Sequence, residues 1–199
     1  AGADFVVGRE ARSAYDVPHA PEKAVHCTMG NSLMFKARDA GHPVPFIKPD
    51  WANTYTEHDL RRRIHEDVTS GYWWIEMGGG RYNTIADAET LRDELLKAVY
   101  GVWDHIKNGG EHGAQNMELE WVGMLPGKRE SRRLLGDYVL NEADCAGGRR
   151  FADAVAYGGW PMDVHTVEGF LNDSDDPTVW LRLEDVYTIP YRCYYSRNI

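Results

Sequence analysis

The chain has 199 residues, enough for one ordinary domain or a domain with a small lobe, and at 43% hydrophobic residues it can bury a core. Its formal net charge of −9 argues against a general nucleic-acid binder, because gripping phosphates needs a basic face. Three cysteines that lie far apart, with no CxxC, argue against a disulfide framework and exclude a cysteine-based structural zinc site.

In chain order, Phe5 to Val7 reads as the end of a strand, and Gly8 turns into one or two helical turns over 9–15. Prolines make 17–21 a loop, and the alternation in NSLMFK predicts a strand over 31–36. Residues 41–50 carry three prolines and form a connection. A short helix is expected over 56–64, capped by Thr56 with acidic residues in its first turn. The aromatic run GYWWIEM over 71–77 favours a strand that Gly78 to Gly80 ends.

The clearest element is a helix over about 86–107. Ala88, Leu91, Leu95, Val99, Val102 and Ile106 recur at steps of three and four, which is one apolar face. Asn83 or Thr84 can cap its start, and Gly109 and Gly110 follow its end. Residues 117–125 alternate at period two and predict a strand, followed by a turn at Pro126-Gly127. A further strand is expected within 134–140, and Asn141 caps a turn through Glu142 to Asp144. Residues 151–157 suit either helix or strand, 158–161 are loop, and 178–183 and 191–195 read as strands. Strands and helices do not alternate regularly. The expected class is α+β, with a mainly antiparallel sheet, one long amphipathic helix and several short helices. No boundary is visible within 1–199.

Familiar motifs are mostly missing. No G-x-G-x-x-G opens a helix after a strand, and no phosphate-binding loop is present. His65-Glu66 begins an H-E-x-x-H motif, but Thr69 stands where the second histidine belongs. The pairs His19/His26, His58/His65 and His105/His112 are each spaced seven apart, as chance readily produces among eight histidines, and no metal site is expected. Two segments stand out. From 126 to 140, several guanidinium groups crowd a turn, and arginine's planar fork suits carboxylates, phosphates or flavin carbonyls. A solvated basic patch with Glu130 in an internal ion pair is the plainer alternative. In the second segment, Asp163 and His165 lie two apart, so both could face one side of an extended strand, where a carboxylate can orient an imidazole for proton transfer.

Three motifs in order carry a resemblance. They are Gly127-x-Arg129-Glu130-x-Arg132-Arg133-x-x-Gly136-x-Tyr138-x-Leu140, then Trp160-Pro161-x-Asp163-x-His165, then Ile189-Pro190-Tyr191-Arg192. Together they resemble the middle, substrate-side region of a bacterial family of FAD-dependent oxidoreductases, over nearly the whole chain. The resemblance implies a single substrate or cap-type domain over 1–199, a fragment of a longer flavoprotein lacking its dinucleotide-binding segment. The first residues lack a Met and the chain stops abruptly at Ile199, so both ends are expected to continue into a flavin domain.

That reading implies FAD in the parent protein, not bound by this fragment alone, and a fragment inactive by itself. Arg129, Arg133, Tyr191 and Arg192 are the implied cofactor contacts, and His165 with Asp163 the implied proton-transfer pair. The expected partners are the FAD-binding domain of the same parent chain and a small-molecule substrate, with neither nucleic acid nor membrane. A homodimer through the exposed cut face is a further expectation. The cytoplasm is the default compartment, with an exported parent as the alternative. The competing reading is a stand-alone carbohydrate-binding module, with an aromatic platform drawn from Trp51, Trp73, Trp74, Trp160 and Trp180.

Overall fold

A computed structural model describes residues 2–69, 71–109, 112–164, 167, 169–171 and 179–199. In chain order its elements are β1 (Phe5–Val6), α1 (Arg12–Tyr15), β2 (Asn31–Ser32), β3 (Phe35–Asp39), α2 (Glu57–Leu60), β4 (Glu76–Met77) and α3 (Ala88–Asn108). They continue with β5 (Met117–Val122), β6 (Arg133–Leu134), α4 (Glu142–Ala146), β7 (Ala154–Gly158), β8 (Met162–Val164), β9 (Val179–Leu181) and β10 (Tyr187–Pro190). Every strand pairing is antiparallel, in small two-stranded sheets. The class is α+β, as the sequence predicts. No described helix is long and apolar enough to cross a membrane.

Two compact units share the chain. The first comprises 1–28, 130–167 and 174–199, and the second 29–129 and 168–173. The chain passes between them more than once, so no linear composition shift marks a boundary.

The second unit is built on α3. Leu91, Leu95, Val99, Val102 and Ile106 of the predicted stripe are all buried, at 1% exposure or less. Trp103 is fully buried as well and meets Phe35 and Phe46 edge-on. Asn83 does serve the start of this helix: its side-chain oxygen accepts from the backbone of Ile85 and Ala86, one turn ahead of Ala88. The sheets β2–β4 and β3–β5 pack onto the same core through Leu33 and Met77 and through Phe35 and Met117.

The aromatic run departs from its predicted strand. Residues Tyr72–Trp74 form a 3₁₀ turn, and only Glu76–Met77 pair. Gly71 has φ 97°, and from there Tyr72 and Trp74 both turn into the core, which period-two alternation would not place side by side with Ile75. The glycines after β4 serve close packing. A Cβ on Gly78 would lie 2.5 Å from the Cα of Gly30, and one on Gly30 would lie 2.7 Å from the Met77 backbone.

The first unit holds β1–β6, β7–β10 and β8–β9. The predicted strand over 191–195 is displaced. The strand is β10, which ends at Pro190, and Tyr191–Cys193 is a 3₁₀ turn. Proline has no N–H for the ladder, so the pairing with β7 stops there. The segment after β6 runs beside this turn. Tyr138 donates its backbone N–H to the Arg192 carbonyl, and Arg197 donates to that of Leu135. A Cβ on Gly136 would fall 2.1 Å from the Arg192 carbonyl oxygen, so glycine is the residue that fits where these strands of chain touch.

Candidate functional site

The predicted site residues divide between the units. Arg129 belongs to the second, and Arg133, Asp163, Tyr191 and Arg192 to the first. Arg129 donates to Glu76 on β4 at 2.7 Å, where the Glu76 side chain is only 6% exposed. Arg133 donates to Glu10 at 2.6 Å. Arg192 binds Asp153 through Nε at 2.9 Å and a terminal nitrogen at 3.3 Å, and its guanidinium lies over the Tyr138 ring. The hydrogen bond from Arg192 holds the Asp153 carboxyl below the usual carboxylate range. All three arginines predicted to meet a cofactor are thus engaged by carboxylates of their own unit. Tyr191 is exposed, with its ring against Tyr195.

Asp163 sits on β8 opposite Trp180 of β9. Its proposed partner His165 lies outside the described residues. Of the aromatic residues named for a platform, Trp74 is buried and Trp51 packs against Tyr100 in the second unit, and Trp160 meets Trp180 edge-on at 87° in the first.

Tyr138 leads to a network around the buried Asp144 in the first unit. Its hydroxyl donates to Asp144 at 2.7 Å, and Arg149 donates to the other Asp144 oxygen at 2.7 Å while stacking on Phe151. Asn141 and Asp144 form the reciprocal cap of α4. Burial pushes the Asp144 carboxyl up, and the hydrogen bonds from Tyr138, Arg149 and the Asn141 backbone outweigh it, leaving the carboxyl below its ordinary range. The Tyr138 and Gly136 of the first motif therefore build structure.

In the second unit, the fold gathers Glu57, His65, His105 and His112, with one ligand-capable atom from each lying within 4.8 Å of all the others. The three imidazoles are buried, whereas the Glu57 side chain is 56% exposed. His65 Nε2 lies 3.2 Å from Glu57 Oε2; His105 Nε2 and His112 Nε2 lie 3.2 and 3.0 Å from Oε1. The last two nitrogens are 3.2 Å apart. For Glu57, burial acts to raise the carboxyl, but the hydrogen bond with His65 and the fields of the three imidazoles hold it below the usual range.

Local sequence explains each placement. The capping box between Thr56 and Asp59 starts α2 and sets Glu57 in its first turn. The backbone around His65 is pinned by Trp74, which donates to the Ile64 carbonyl at 2.8 Å. His105 is in the last turn of α3, and Lys107 donates to the carbonyls of Ala114 and Gln115, tying down the returning chain that carries His112. His105 and His112, seven residues apart, do lie together, but His112 stands beyond the end of α3 and not on one face of it. His58, the other member of the spaced pair with His65, is no part of the cluster.

A family model described as FAD dependent oxidoreductase matches residues 1–199. The chain belongs to this FAD-dependent oxidoreductase family. No curated protein and no solved structure shows a significant match.

Family membership raises the fit of the cofactor to these residues. In this FAD-dependent oxidoreductase chain the described residues form no glycine-rich strand–turn–helix of the kind that cradles a pyrophosphate. The best glycine cluster, 78–80, is closed by Gly30 against Gly78.

Proposed function

We propose that this chain forms the substrate-side part of an FAD-dependent oxidoreductase, closing the active site over a flavin held by a dinucleotide-binding domain of the same protein. The family match over residues 1–199 carries this reading. When bound, the flavin supplies the electron transfer, and the protein places the substrate and moves protons. In this proposal Asp163, on β8 where it pairs with β9, orients His165 for proton transfer, and Tyr191 presents an exposed phenol to a small polar or anionic substrate.

The arginines take different roles from those their motifs suggest. Arg129, Arg133 and Arg192 act through ion pairs that fix their segments, and the charge left to a ligand is correspondingly smaller.

The test uses the full-length, FAD-loaded protein. Small polar and anionic electron donors are screened by anaerobic bleaching of the flavin band, with wild type beside His165→Ala and Asp163→Asn. A positioned acid or base contributes roughly 10²–10⁴-fold, so bleaching should slow by about that much at unchanged flavin content. Bleaching as fast as wild type in both variants would remove the pair from the site.

A further inference from the structure

We propose that Glu57, His65, His105 and His112 bind a divalent transition-metal ion, zinc or a close relative, as a four-ligand structural centre of the second unit.

The tautomer of His65 makes the case. Its Nδ1 lies 2.5 Å from the Arg63 carbonyl, and a carbonyl can only accept, so Nδ1 carries the proton. In the neutral ring Nε2 then presents a lone pair, and it presents it to a carboxylate oxygen at 3.2 Å. Two acceptors facing each other repel unless something positive sits between them. The same conflict recurs at His105 and His112, whose Nε2 atoms face both one another at 3.2 Å and a single Glu57 oxygen. Hydrogen bonds cannot satisfy every one of these contacts in neutral rings. A metal ion satisfies all of them together.

The spacing suits that ion. Ligands at ~2.0–2.1 Å from a tetrahedral zinc stand about 3.3 Å from one another. Four of the contacts here are 3.0–3.2 Å, His65 meeting one Glu57 oxygen and His105 and His112 the other, and the ligand atoms all lie within 4.8 Å of one another, so the shell closes on an ion with small side-chain shifts. Three imidazoles and one carboxylate are a donor set for zinc, cobalt, nickel or iron and not for calcium or magnesium, which prefer oxygen. Outer contacts are also in place. Arg63 orients His65 in the manner of a ligand's second partner. The cluster lies at the C-terminal end of the 21-residue α3, where the helix dipole favours a cation.

Four protein ligands complete a tetrahedral shell, which marks a structural centre and not a hydrolytic one with an open position. The ion would join α2, the segment carrying His65, the end of α3 and the returning chain. This inference is independent of the flavin reading.

The test is cobalt(II) and zinc(II) binding by the full-length protein after removal of metal with a chelator. Expected are one equivalent of metal by elemental analysis beyond any flavin, the intense visible absorption of tetrahedral cobalt, and a higher melting temperature on adding zinc. His112→Ala should weaken binding by a hundredfold or more. Glu57→Gln, which leaves all three buried imidazoles in place, should weaken it at least tenfold and alter the cobalt spectrum. His58→Ala, outside the cluster, should bind as wild type does. Folded wild-type protein that takes up no stoichiometric cobalt or zinc would overturn the proposal, as would binding as tight as wild type in both Glu57→Gln and His112→Ala.

Discussion

Replacing Arg129 by alanine removes the cation that faces Glu76 at 2.7 Å and strands a carboxylate whose side chain is 6% exposed. Among the described residues, the Ser32 hydroxyl also lies near it, at a long 3.5 Å. Opposite charges about 4 Å apart attract by ~4 kcal/mol at an effective dielectric of about 20. Breaking a fully buried pair costs ~3–5 kcal/mol, chiefly because one charge is left without a partner. Arg129 is itself 32% exposed, so water screens part of that attraction. The expected loss is ~2–3 kcal/mol, or a fall in melting temperature of roughly 4–12 °C for a chain of this size. Urea unfolding followed by tryptophan fluorescence measures it. Adding Glu76→Gln to Arg129→Ala removes the stranded charge and should restore most of the loss, giving a clear coupling in the double-mutant cycle. An Arg129→Ala variant within ~0.5 kcal/mol of wild type would refute the structural role assigned to this arginine and return it to the ligand-binding candidates.

Other outcomes follow from the same contacts. Gly136→Ala should destabilise the first unit by ~2 kcal/mol or more, since its Cβ meets the Arg192 carbonyl at 2.1 Å, and limited proteolysis should then reach 130–138 sooner. Gly101→Ala should destabilise α3 despite the ~1 kcal/mol gain in helix propensity, because the new Cβ would lie 2.5 Å from the Asn53 carbonyl. Asp144→Asn should lower stability at neutral pH. The folded Asp144 carboxyl titrates below its unfolded value, so its contribution is present above ~pH 4 and is lost as pH falls through the folded value; the gap between wild type and variant should shrink in acid.

Much of the fold was legible where the pattern was long. The α3 stripe spans several turns, and its apolar residues have one solution. The capping box at Thr56 and Asp59 was legible too, although α2 ends at Leu60, well short of Ile64. Short strands were less so, because a two-residue pairing such as Asn31–Ser32 with Glu76–Met77 is set by a partner distant in sequence. The 71–77 run shows the same limit, since aromatic composition favours both a strand and a turn that sends rings into a core.

The site divides similarly. The motif residues Gly136 and Tyr138 signal structure that only the contact with Arg192 and Asp144 explains. The partners of Arg129 and Arg133 are Glu76 and Glu10, remote in sequence and outside all three motifs. Glu57, His65, His105 and His112 converge from four segments of chain, and no local spacing links all four. The one fragment of signal was the seven-residue spacing of His105 and His112, which chance produces as easily.

The most direct measurement for the central claim is the visible absorption spectrum of the full-length protein. The account predicts a flavin spectrum, as isolated or after adding FAD, that bleaches reversibly on reduction. A folded protein with no flavin bands, and none after FAD is supplied, would contradict it.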